Sequence, residues 1–143
     1  MKIKIKRFDK NLPLPAYKSP GAVCLDLYAR ETVKIAPGQV GFIPLNVAVE
    51  IPKGTWLMIA PRGSTHKLGI MMVDSIAIGD EDFCGDNDEY SFPAFNFTDK
   101  EVVIEKGTRI AQMMVMKYER VELEEEEHLE NKNRGGFGST GKK

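Results

Sequence analysis

The chain has 143 residues, 42% hydrophobic and 29% charged, a length at which one domain with its own core is the default. A formal net charge of −1 excludes a strongly basic polyanion binder and predicts no nucleic-acid partner. No apolar run approaches the roughly 18 residues of a membrane span, and the opening MKIKIKRFDK lacks the apolar stretch of a signal peptide, so no membrane partner is expected.

Alternation begins at once. Ile3, Ile5 and Phe8 are interleaved with Lys2, Lys4, Lys6 and Arg7, which reads as a half-buried strand whose lysines would blunt an edge. Short apolar or alternating stretches follow at 33–36, 41–51, 56–60, 70–78, 90–97, 101–104 and 109–121. Turn signals separate them: Pro37-Gly38, Pro52-Lys53-Gly54, Thr98-Asp99-Lys100 and Lys106-Gly107. Many short strands at this spacing predict an all-β sandwich, jelly roll or barrel. Pro93 falls inside the 90–97 stretch, which predicts an edge strand or a bulge there. Residues 119–130 carry seven glutamates and read as a solvated strand end, helix or linker. Residues 131–143 are Gly-rich and polar and could not stay ordered by burial alone, which divides the chain into a domain at 1–130 and an arm at 131–143. Cys24 and Cys84 make neither a disulfide framework nor a four-ligand zinc site, so a reducing, cytoplasmic setting is expected.

Four places could carry chemistry. In 60–67, Arg62 offers a fork to an oxyanion, Gly63 lets backbone N–H groups approach, and Ser64 and Thr65 add donors. Taken alone the segment is equally a surface turn with its arginine paired to an acid, and His66 reads as a surface histidine. In 79–89, six of the ten residues from Asp80 to Glu89 are acidic and none is basic. An EF-hand loop started at Asp80 fails, because Cys84 takes the fifth position and Ser91 the twelfth, where a bidentate Glu is needed. That leaves solvated loop acids, or a carboxylate general base whose neighbours help hold a hydrated cation. In 107–114, strand alternation would put Arg109, Ala111 and Met113 on one face and Ile110 and Gln112 on the other, with Gln112 as a satisfied core amide. In 134–143, Gly136, Gly141 and Lys142 fit a P-loop, but Lys143 stands where Ser or Thr is required, and a P-loop is rejected. The exposed backbone donors, the hydroxyls and the Phe137 ring suit an arm that folds over a nucleotide, against a disordered tail.

Taken in order, segments 21–29, 60–69, 79–96, 107–115 and 134–141 resemble the five motifs of the trimeric dUTP diphosphatases, the dUTPases. The resemblance implies a jelly-roll-like β-barrel in a homotrimer with three active sites at subunit contacts. It also implies hydrolysis of dUTP to dUMP and pyrophosphate with Mg²⁺ bound by the triphosphate, limiting uracil in DNA and supplying dUMP. By this resemblance Asp80 activates the water that attacks the α-phosphorus, and Gln112 lies close to the α-phosphate and that water. Asp26 holds metal-bound waters, and Arg62, Gly63 and Ser64 form the phosphate-contacting turn. Ile78 and Gly79 present the backbone that reads uracil, and Phe83 packs against deoxyribose. Phe137 closes over uracil. Ser139 and Thr140 match arm donors to the β- and γ-phosphates, with Gly138 beside them as a further substrate-binding position, and Arg134 or Lys132 contacts the γ-phosphate.

Some positions differ from the usual family pattern. Cys24 stands for a Gly, Gly63 for a common Ser and Phe83 for the usual Tyr, and Gly85–Glu89 is an acidic insertion. Two rival functions fit the same fold. A dCTP deaminase would need a glutamate where Pro93 stands, and proline can neither move a proton nor donate. A non-catalytic dUTP-binding regulator would have lost the base or the arm, whereas Asp80 and the Gly-rich segment are both in the sequence.

Overall fold

The computed structural model describes residues 1–136. The all-β expectation holds. β1 (Lys4–Arg7) pairs with β5 (Val47–Glu50), and β3 (Val33–Ile35) with β10 (Val102–Ile104). A four-stranded antiparallel sheet contains β2 (Leu25–Tyr28), β11 (Arg109–Lys117), β6 (Thr55–Pro61) and β8 (Ala77–Gly79), in that order. A third arrangement is β4 (Val40–Pro44), β9 (Ser91–Asn96) and β7 (Ile70–Met72). One short 3₁₀ turn, Thr65–Leu68, follows β6. Among the described residues no helix is long and apolar enough to cross a membrane.

Period-two patterning places the core. Along β6, Thr55, Leu57 and Ile59 are buried, while Trp56, Met58 and Ala60 on the opposite face are half-buried. Leu57 and Ile59 join Leu27, Ile43, Phe92, Ile110 and Met113 in one cluster. Each such side chain contributes about 1.5–3 kcal/mol on burial.

Several expected stretches are cut by local backbone chemistry. The 41–51 run divides at Asn46, whose φ of 68° breaks the strand. Asparagine tolerates this left-handed conformation, and here its amide also bonds the Asp9 backbone on both sides. The 70–78 run divides at Ser75, φ 64°. The last run ends at Lys117, and residues 119–135 are exposed without strand or helix. β2 was not among the predicted strands, because its central residue is the charged Asp26.

Pro93 corrects the edge-strand expectation. It lies in β9, the middle strand of β4-β9-β7. Its carbonyl accepts the Val73 N–H at 3.0 Å, one residue past β7 in the same register, so the donor it lacks is the reciprocal one toward Val73. The proline forfeits that one bond at the point where β7 stops, while the pairing of β9 with β4 continues through it.

Candidate active site

The outward face of the four-stranded sheet sets the first half of the site. Asp26, Gln112 and Ala60 lie opposite one another across β2, β11 and β6. A register shift between Arg109 and Ala111 is a bulge that overturns the simple alternation expected for this segment. Ala111 turns into the core beside Ile110, and Arg109 comes round to the Asp26 side. Asp26 is only 7% exposed, with Oδ1 accepting Arg62 Nε–H at 3.0 Å and Oδ2 accepting Arg109 Nη1–H at 2.9 Å. One carboxylate between two guanidiniums leaves a net positive trio, and each guanidinium keeps further N–H groups for an anion.

Asp26, Arg62 and Gln112 line a cavity of about 310 Å³ together with Cys24, Gly63, Ser64 and Lys18. Ser64 begins the 3₁₀ turn, but its side chain makes no capping bond, which leaves the hydroxyl for a ligand. Thr65, by contrast, is not the donor expected of it: it is buried and its hydroxyl bonds Ile110 O at 2.7 Å. Gly63 has open space around its Cβ position. His66 is exposed, as expected. Gln112 is half-buried and fixed by a 3.1 Å bond from Nε2 to Pro61 O. Burial, and then the Asp26 charge, push the Cys24 thiol up, so it stays protonated. Its backbone is not left-handed, so a Cβ is accepted where the family pattern has Gly.

Among the described residues no group of three His, Cys, Asp or Glu could hold a metal ion. A protein cage for Mg²⁺ is therefore not built here. Asp26 has one acceptor direction left on each oxygen, which fits a hydrated Mg²⁺ carried by phosphates and reached through water.

The second half of the site is the turn after β8. Ile78, Gly79, Asp80 and Phe83 line a cavity of about 280 Å³ with Tyr90. Ile78 is exposed, whereas Gly79 packs against buried Tyr90: a Cβ on Gly79 would stand 2.2 Å from the Tyr90 hydroxyl. Phe83 meets the Tyr90 ring edge-to-face at 5.0 Å. Burial, with the Asp80 charge next, raises the Tyr90 phenol to about 12, so it remains neutral.

The loop's acids separate into two groups. Glu81 accepts Gly54 N–H and Tyr118 O–H, Asp86 pairs with Lys6, Asp88 accepts Gly85 N–H, and Glu89 holds Arg30 and the Asn46 N–H. The side chains of Asp80 and Asp82 make no hydrogen bond or ion pair among the described residues, and Asp80 is exposed. Cys84 is exposed.

The two halves are apart in one chain. Gly79 lies opposite Leu57 and Gln112 opposite Ala60, so Asp80 and Gln112 are separated by four residues along β6, about 13 Å, and by two strand spacings, about 10 Å. Arg134 is exposed on the segment after β11 and lines neither half. Phe137, Gly138, Ser139 and Thr140 lie outside the described residues. The sequence reading missed Arg109 and Tyr90. A bulge is not visible in a residue pattern, and Tyr90 looked like one more core aromatic at the start of a strand.

The comparisons agree with this geometry. The family model described as dUTPase matches residues 10–141. A prophage-derived deoxyuridine 5'-triphosphate nucleotidohydrolase of Bacillus subtilis is 40% identical over 145 residues, covering 100% of both chains. The crystal structure of a dUTPase from Streptococcus mutans superposes with a TM-score of 0.77 at 26% identity, over 85% of this chain and 99% of that one. A Staphylococcus bacteriophage 80alpha dUTPase with bound dUPNHPP gives a TM-score of 0.85 at 22% identity, over 98% of each chain. With most of its length matched by the family model, and with full-length relatives well above the level of chance similarity, the chain belongs to the dUTPase family.

Proposed function

We propose that the protein hydrolyses dUTP to dUMP and pyrophosphate as a homotrimer whose active sites form between subunits. The observation that carries the reading is Asp80, an exposed carboxylate with no hydrogen bond or ion pair among the described residues, held on the rim of an aromatic-floored cavity while four of the other acids in its loop are bound by the fold. An acid left open in this way can take a proton from water. The water oxygen bonds to the α-phosphorus, the bond to the α–β bridging oxygen breaks, and the electron pair leaves on pyrophosphate.

The remaining roles are assigned as follows. The Ile78–Gly79 backbone faces the uracil edge, and Phe83 lies under the sugar and blocks a 2′-hydroxyl. Arg62, Arg109 and Ser64 take phosphate oxygens, and Gln112 orients the α-phosphate and the attacking water. Mg²⁺, when bound by the triphosphate, supplies charge neutralisation, with Asp26 positioned to hold its waters. The arm at 131–143, through Arg134 or Lys132 and Phe137 to Thr140, closes over the nucleotide.

The trimer is supported by distance and by surface. A general base and its target phosphorus must flank one water, within about 6–7 Å, which Asp80 and Gln112 of one chain do not meet. A second copy brings its own Gln112 to Asp80. The outward sheet face also carries Met58, Met114, Met116 and Trp56, apolar side chains suited to such a contact. Both cysteines are free thiols, in keeping with a cytoplasmic location.

The test is pyrophosphate release from dUTP, dCTP, dTTP and UTP, with and without chelator, for the parent and Asp80→Asn. Release from dUTP alone, lost with chelator and lost in Asp80→Asn with dUTP binding intact, supports the reading. Undiminished turnover by Asp80→Asn removes Asp80 from the mechanism. Binding without release in the parent makes the protein a dUTP-binding regulator instead.

A further inference from the structure

Among the described residues the Asp80 carboxylate has no hydrogen-bond partner that would aim it, so its direction depends on the residues at its sides. On one side Gly79 is paired to Leu57 in the sheet and pressed against Tyr90. On the other side stands Glu81. Its Oε2 accepts the Gly54 N–H at 2.9 Å and the Tyr118 O–H at 3.0 Å, and Oε1 lies 3.5 Å from Arg120 Nη2. These partners are themselves joined, since Tyr118 N–H donates to Gly54 O at 3.2 Å. Gly54 holds the β5–β6 turn at φ 75°, and Tyr118 is the first residue past β11. One carboxylate oxygen thus ties the Asp80 turn to one end of the β6–β11 pair, where β6 begins and β11 stops. The Gly54 N–H, then the Tyr118 hydroxyl, hold Glu81 below the usual carboxylate range, so it is ionised at neutral pH. The turn is closed further by the Phe83 N–H on Asp80 O at 3.2 Å.

We infer that Glu81 is a positioning residue for hydrolysis: it touches no substrate, and through Gly54 and Tyr118 it fixes the backbone from which Asp80 reaches the attacking water. The inference rests on Asp80 being the base. Glutamate has the reach for this task. An aspartate at 81 would be one methylene short of Gly54 and Tyr118, and serine would lack the second oxygen that faces Arg120.

The experiment compares Glu81→Ala, Glu81→Gln, Tyr118→Phe and Asp80→Asn with the parent, in steady-state dUTP hydrolysis and thermal melts at one protein concentration. A base displaced by about 1 Å loses up to about 100-fold in rate. The expected results are therefore a kcat lowered roughly 10- to 100-fold in Glu81→Ala with KM within about threefold. Glu81→Gln keeps an oxygen for Gly54 and recovers part of the rate. Tyr118→Phe loses roughly 3- to 10-fold in kcat. A Glu81→Ala kcat within about twofold of the parent overturns the inference, as does a loss confined to KM. Should Glu81→Ala fail to fold, Tyr118→Phe, which deletes one hydroxyl, decides in the same way by its kcat. Full turnover by Asp80→Asn overturns the base assignment and this inference with it. An inactive Asp80→Asn beside an undiminished Glu81→Ala overturns the positioning role alone.

Discussion

Replacing Gly79 by alanine adds one methyl group at the point where the two walls of the hairpin cavity touch. That carbon would stand 2.2 Å from the Tyr90 hydroxyl, 2.8 Å from Cζ and 2.9 Å from Cε1. Restoring ordinary contact requires a displacement of about 1 Å. Tyr90 cannot yield freely, being 7% exposed and with its ring already against Phe83. β8 can yield only by loosening its pairing with β6 at Leu57. Overpacking of this kind costs about 1–3 kcal/mol, or roughly 3–10 °C in melting temperature for a chain of this size. The same shift moves the backbone next to Asp80, so kcat/KM for dUTP should fall about 10- to 100-fold. The assay pairs thermal melts at fixed protein concentration, because the proposed association would contribute to the midpoint, with initial rates of pyrophosphate release. Gly63→Ala is the control: nothing lies within 4 Å of its Cβ position, and its melting temperature should not change. Gly79→Ala combined with Tyr90→Phe removes the closest atom and should recover part of the loss. A Gly79→Ala protein with the parent's melting temperature and kcat/KM would refute the packing argument.

Three further outcomes are expected. Asp26→Asn leaves Arg62 and Arg109 facing an amide, which should cost about 1–3 kcal/mol in urea unfolding and raise the Mg²⁺ needed for half-maximal hydrolysis; no change in either would remove Asp26 from the site. Tyr90 is raised from 10.0 to about 12 in the fold, so the folded state holds the phenolic proton more tightly than the unfolded chain. Its contribution is full below about pH 10 and is lost as pH climbs toward 12, about 2–3 kcal/mol in all. Tyr90→Phe should flatten that alkaline decline in urea midpoints, and an unchanged decline would assign it to other groups. Truncation after Asn131 should leave the melting temperature and assembly unchanged and cripple hydrolysis, whereas loss of assembly would make the segment structural.

Much of the site was legible because its chemistry is local. Arg62, Gly63 and Ser64 fall together because they are consecutive, and Ile78 to Phe83 because a turn follows a short strand. The strand class was legible from alternation. What was hidden depends on partners far away in sequence. Arg109 reaches Asp26 only through a bulge, and a bulge reverses the face that period-two counting assigns. Thr65 looked like a donor for phosphate, yet a carbonyl on β11 takes its hydroxyl. Pro93 looked like an edge marker, and only the pairing shows that the one bond it omits falls where β7 stops. The break at Asn46 was masked by apolar residues on both sides, since left-handed backbone leaves no trace in hydropathy.

The acidic loop poses a charge problem that the fold answers by sorting. Six carboxylates beside a triphosphate would repel it strongly if all faced the ligand. Glu89 is drawn to Arg30 and Asn46 at the base of the loop, Asp86 to Lys6 on β1, Asp88 to the loop's own backbone, and Glu81 to Gly54 and Tyr118. The acids engaged in this way have their charge taken up by the fold, Glu89 even at the cavity wall, and the insertion thereby braces the loop against β1 and the β4–β5 break. Asp80 is left with its lone pairs uncommitted. The opposite sorting occurs at Asp26, where two arginines surround one acid and the surplus is positive. Base and phosphate grip therefore carry opposite local charge and stand at different levels of one sheet. In the proposed assembly a second copy of the chain joins them, and dilution below that assembly's dissociation constant should then abolish hydrolysis while each protomer keeps its fold. Activity that stayed proportional to protein concentration through that transition would show the two halves to be usable within a single chain.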